Sequence, residues 1–120
     1  MLITTNVSVP GSQLWTVTPV NCVAGGPLSI RATGTVQHGP TKDRTSGPEG
    51  MNGEHLDTNV IDDANHASLI GRIGVAGAPF NVGSALDTTC TTDGVVYLGI
   101  NDEGYVGNIG GFQAAVEHEQ

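Results

Sequence analysis

At 120 residues the chain has the length of one domain, enough to bury about two thirds of its unfolded surface around a single core. Four basic against twelve acidic residues give a formal net charge of −8, a field that repels phosphate backbones and anionic bilayers and so excludes nucleic acid as an expected partner. Eighteen glycines and six prolines among many Thr and Val argue for short strands joined by turns, an all-β class.

No basic start leads into an apolar run, and no apolar stretch approaches the roughly eighteen residues of a membrane span, so neither a signal peptide nor membrane insertion is expected. Leu2–Val9 alternates weakly and ends at Pro10-Gly11, a first strand and turn. Leu14–Val20 is a second strand. Its Trp15, the one tryptophan, reads as a core or rim anchor in preference to a sugar-stacking platform. Cys22 and Cys90 lie far apart with no CxxC spacing; they are read as two separate buried or half-buried thiols, a disulfide being the alternative, and the redox compartment stays open.

After the turn at Gly25-Gly26-Pro27, Leu28–Val36 is a firmer strand, with Leu28, Ile30, Ala32, Gly34 and Val36 on one face and Arg31 outward. Gln37–Asn65 changes character. It is rich in acidic residues and punctuated by Gly and Pro, and the pairs Gly39-Pro40 and Gly47-Pro48 favour an ordered excursion within the domain. Of the four histidines, His38 opens this loop and His55 closes it, whereas His66 and His118 default to the surface; no pair has zinc-site spacing.

Ala67–Val75 is an apolar run interrupted by Gly71 and Gly74, Ala78–Gly83 is a turn anchored by Phe80, and Asp87–Asp93 is an exposed loop or edge strand. Val95–Ile100 buries Val96, Leu98 and Ile100, and Phe112, Ala114 and Val116 repeat the period of two in the last strand. Between them, Asn101–Asn108 crowds Asn101, Asp102, Glu103 and Asn108 with two glycines. A hard cation such as calcium takes about six to eight oxygens, and such a loop offers them. On spacing alone it remains an ordinary hairpin connection, because the EF-hand pattern is absent.

The count of about eight strands points to a single-domain, two-sheet antiparallel β-sandwich over residues 1–120. No nucleophile elbow, phosphate loop or dinucleotide fingerprint occurs. The carboxylate pairs Asp62-Asp63 and Asp102-Glu103 are adjacent and would point apart on a strand, so no enzyme activity is expected.

Three blocks in order resemble the calcium-dependent galactose-binding bacterial lectins of the LecA type. They are His38-Gly39-Pro40-Thr41 with Gly47-Pro48-Glu49-Gly50; Glu54-His55-Leu56-Asp57 with Ser68-Leu69-Ile70-Gly71-Arg72-Ile73-Gly74; and Asn101-Asp102 with Gly107-Asn108-Ile109-Gly110-Gly111-Phe112. The resemblance spans about Leu28 to Val116 and implies a jelly-roll, galactose-binding-like sandwich. By position it implies Asp102 and Asn108 as side-chain ligands of Ca2+, with backbone carbonyls from His38 and Tyr105. It also maps sugar contacts to His55, Thr58, Asp102 and Asn108, with Glu103 able to lend a further carboxylate. Gly107 stands where the family has its first asparagine, and Thr58 where it has a longer glutamine. The implied function is calcium-dependent binding of a galactose-like glycan by a homo-oligomer, cytoplasmic with leaderless release to the extracellular space. The alternative is a structural or decoration subunit, for example on a virion surface, that keeps the sandwich without the sugar.

Overall fold

Period-two burial builds both layers of the protein. The computed structural model describes every residue from Met1 to Gln120. Its strands are β1 (Leu2–Pro10), β2 (Trp15–Cys22), β3 (Pro27–Gln37), β4 (Thr45–Ser46), β5 (Leu69–Ile73), β6 (Phe80–Asn81), β7 (Ala85–Thr89), β8 (Gly94–Ile100) and β9 (Ile109–Glu119), with one 3-10 turn at Lys42–Arg44. One sheet runs β1-β9-β3-β4, with β7 also pairing β3, and the other runs β2-β8-β5-β6; every pairing is antiparallel. The all-β, two-sheet sandwich expected from the sequence is what forms. The two-residue β4 and β6 lie where the sequence reads only loop and turn. No helix is long and apolar enough to cross a membrane.

The core lies between the sheets. Leu28, Ile30 and Val36 of β3, Val96, Leu98 and Ile100 of β8, and Phe112 and Val116 of β9 are all fully buried. Each such side chain contributes about 1.5–3 kcal/mol relative to exposure. Gly34, placed with the inward set by its period, is instead exposed.

Three expectations are corrected by tertiary placement. Cys22 and Cys90 form a disulfide with their Cα atoms 5.8 Å apart. The end of β2 and the β7–β8 connection are laced together by Gly25 N–H to the Cys90 carbonyl and Cys90 N–H to the Gly26 carbonyl, both 2.8 Å, and this brings the thiols into reach. His118 is buried, because it continues the inward row of Phe112, Ala114 and Val116; its Nε2 lies 2.9 Å from Thr5 Oγ1. His66 is buried under the long loop, its backbone N–H donating to the Glu54 carbonyl and its Nδ1 lying 3.0 Å from Asn59 Oδ1.

Trp15 is the rim anchor expected of it. Its half-buried ring lies over the β8 backbone at Gly99, and the Arg72 guanidinium stands 4.4 Å from its centroid and 4.8 Å from that of Tyr97.

Candidate functional site

The loop between β8 and β9 meets the long excursion from His38 to Ser68 at one end of the sandwich. Asn101, fully buried, is the staple. Its Oδ1 accepts Ile61 N–H at 2.8 Å, while its Nδ2 donates to the carbonyls of Ile61 (2.9 Å) and Asn65 (3.1 Å). Its backbone exchanges bonds with Ser68 and Ala67. A strand-like continuation past Ile100 is thereby replaced by a turn. The amide of one residue thus satisfies the backbone of a loop some forty positions away, as buried polar groups require.

The turn points the next side chain inward. Asp102 is only 4% exposed, and its two oxygens take separate neutral donors: Oδ1 accepts Gly104 N–H and Oδ2 accepts Asn108 Nδ2, both at 2.9 Å. No basic side chain lies within ion-pair distance of it. Asn108 Nδ2 also donates to the Gly11 carbonyl at 3.0 Å, so the β1–β2 turn forms part of the same constellation. Tyr105 packs against the core, and its carbonyl accepts Asn108 N–H at 3.1 Å.

His38 closes the other side. Its N–H donates to the Arg44 carbonyl, whereas its own carbonyl accepts no hydrogen bond from the chain. The ring is buried edge-on to His66, with centroids 5.1 Å apart, and Nδ1 has no partner. Burial pushes its pKa below the ordinary imidazole value, helped by His66 and Arg44, while Asp102 and Glu54 pull it back up. Of the four expected metal ligands, Asp102 and Asn108 touch directly and Tyr105 is bonded to Asn108, whereas His38 is bonded to Ser46 and Arg44 and to none of the other three.

The expected sugar contacts are more dispersed. His55 is exposed, 3.2 Å from Asn65 Oδ1, and Asn65 in turn is bonded through its carbonyl to Asn101, so a short chain of hydrogen bonds ties it to the Asp102 loop. Beside it, Glu54 and Arg44 form a two-pronged ion pair at 2.9 and 2.5 Å that holds the carboxyl below its usual range. Thr58 and Glu103 are exposed, and neither makes a side-chain hydrogen bond.

Sequence reasoning missed three contributors: Gly11, Asn65 and the stapling role of Asn101. Only Asn101 carried a local signal, as an asparagine directly after a buried strand.

No three His, Cys, Asp or Glu side chains converge in the protein, so a cation here would rely on amide and backbone oxygens around one carboxylate. Asn108 meets Asp102 through its amide nitrogen, and the Tyr105 carbonyl is bonded to Asn108 N–H, so a hard cation between them would need the Asn108 amide turned to present its oxygen. The charge of Arg44 acts on Asp102 without touching it. A cleft of about 500 Å³ lies away from this loop, on the β1-β9-β3 sheet between Asn6, Arg31 and Gln113.

No family model matches the chain, and no curated protein matches it. Among solved structures it is similar to an EclA N-terminal domain, a PllA-like lectin, with a TM-score of 0.73 and 24% identity over 98% of each chain. That likeness shows the two-sheet β-sandwich fold.

Proposed function

We propose that the protein is a carbohydrate-binding module, not an enzyme, which holds calcium at the Asp102 loop and through it a galactose-like glycan. The observation that carries this reading is the Asp102 carboxylate, buried, hydrogen-bonded only to neutral donors, and fixed beside Asn108 at the junction of two loops. Asp102 and Asn108 would hold the ion with their side chains, and His38 and Tyr105 with their carbonyls. Calcium supplies a site that accepts vicinal sugar hydroxyls as further oxygen ligands. His55 then offers a hydrogen bond to an outlying hydroxyl, with Glu103 and Thr58 at the rim. The lectin fold of the EclA domain supports a glycan-binding role. The disulfide suits work outside a reducing compartment.

One observation favours a second reading, a structural or decoration role without sugar. Gly107 leaves open space where the resembling family places a ligand. Thermal unfolding of chelator-treated protein separates the two. A ligand at a hundred times its dissociation constant stabilises the fold by about 2.7 kcal/mol. Under the first reading calcium raises the midpoint, and galactose raises it again only with calcium present; under the second neither moves it.

A further inference from the structure

The two ends of β1 fix which of its backbone groups are in use. Gly11 N–H donates to the Gly110 carbonyl at 3.0 Å beyond one end, and Gln120 N–H donates to the Met1 carbonyl at 3.1 Å beyond the other. Between them the register with β9 runs unshifted from Leu2↔Glu119 to Pro10↔Gly111. Bonded and non-bonded pairs alternate in an antiparallel ladder, so the odd-numbered residues spend their N–H and C=O groups on β9. Those of Leu2, Thr4, Asn6 and Ser8 face the opposite way, where no strand lies.

Long edges are normally blunted by charge, bulge or proline. The edge at β2 is blunted, by Pro19 and by a register shift between Val17 and Asn21, and β4 and β6 are two residues each. β1 has nine residues, no charge, no bulge, and its only proline at the last position.

We propose that β1 pairs antiparallel with β1 of a second copy about a two-fold axis, joining the two β1 sheets edge to edge. A strand paired in this way is self-complementary, which is what a two-fold contact demands. Overlap is greatest with the axis at Asn6, Thr4 then facing Ser8 of the partner subunit. The edge is also where two acidic copies can approach. Glu117 flanks Thr4 on β9. In this register the two copies of Glu117 stand about 20 Å apart, well beyond the roughly 8 Å screening length of physiological salt. This names the interface of the expected homo-oligomer and holds whether or not the Asp102 loop binds sugar.

Sedimentation equilibrium of the full chain tests it. A dimer is expected at physiological salt that weakens as salt is lowered toward about 0.01 M, where a screening length of about 30 Å exceeds the Glu117 separation and the two −8 copies repel. Asn6→Pro removes an edge-facing N–H while sparing the β9 ladder, and should raise the dimer dissociation constant about tenfold or more. Asn6→Cys should cross-link on mild oxidation, since facing Cα atoms about 5.5 Å apart suit a disulfide. Val17→Cys, exposed on the other sheet, should not cross-link. A wild-type monomer at every concentration, or a dimer that Asn6→Pro leaves intact, overturns the proposal. If Asn6→Pro does not fold, the cross-link decides alone: its formation supports the pairing and its failure rejects it.

Discussion

Asn108 points its Nδ2 at Asp102 Oδ2 across 2.9 Å, joining the first and last polar side chains of a turn whose intervening residues are largely exposed. Asp102→Asn removes the loop's buried charge but keeps an oxygen for one of its two donors. The fold should lose only about 1 kcal/mol, the scale of one hydrogen bond. Calcium affinity should fall by more than about tenfold, since even the outer partners of metal ligands are worth that much. Calorimetric titration with calcium, then with galactose, checks both; unchanged sugar binding would sink the proposed mechanism.

The Cys22–Cys90 bridge closes a separation of 68 residues. Chain-entropy arguments put its contribution at about 4 kcal/mol, acting mainly on the unfolded state. The double substitution Cys22→Ser, Cys90→Ser should therefore lower the unfolding free energy by an amount of that order, seen as a lower denaturant midpoint, and reduction of the wild type should do the same. Equal midpoints in oxidised and reduced protein would contradict this account.

The fold was legible where a local period decided it, as in β3, β8 and β9, whose inward residues follow an alternation set by the pleat alone. The same rule, carried two residues further, would have buried His118. What stayed hidden depends on partners remote in sequence. Nothing near Cys22 announces Cys90, and nothing near Asn108 announces Gly11. The Asp102 loop could be picked out by its oxygens, whereas its linkage to the long excursion rests on Asn101, whose amide finds loop carbonyls only once both segments are placed.

Acid stability should carry the mark of Glu49. Its side chain accepts hydrogen bonds from Ser84 Oγ and, at 3.0 Å, from Ser84 N–H, and these hold its pKa below the ordinary value of 4.5. A carboxylate with a depressed folded pKa contributes stability above its unfolded value, and this is lost as pH falls from about 4.5 through the folded one. Glu49→Gln should leave a shallower decline of melting temperature in that window, while Glu54 and Asp87, depressed by Arg44 and Arg31, keep part of the slope. An identical acid limb in the variant would rule Glu49 out.

Gly99 is the floor on which Trp15 rests. A Cβ there would stand 2.1 Å from the Leu14 carbonyl oxygen and 2.8 Å from the indole ring. Gly99→Ala must push the β2 backbone and the ring outward, and overpacking of this kind costs about 1–3 kcal/mol. Denaturant unfolding together with tryptophan fluorescence reads both effects. A red shift of emission should accompany the lost stability, because the ring leaves the slot beneath Arg72.

Gly107 is where the candidate site can be strengthened by substitution. Its φ is +90° and nothing lies within 4 Å of an added Cβ, so space is free and only the backbone conformation resists. Asparagine is among the side chains that best tolerate positive φ, and it brings an amide oxygen to the loop already holding Asp102 and Asn108. Gly107→Asn should cost about 1 kcal/mol in metal-free protein, because a non-glycine residue is strained there. In return it should tighten calcium binding, so that millimolar calcium raises the melting temperature of the variant by more than that of the wild type. Calorimetry with calcium, then with galactose on the calcium-loaded variant, distinguishes the outcomes. Tighter calcium with stronger galactose binding makes the missing amide the reason for a weak natural site. Tighter calcium with no sugar response confines the loop to metal binding, and no change in either shows that residue 107 does not face the ion.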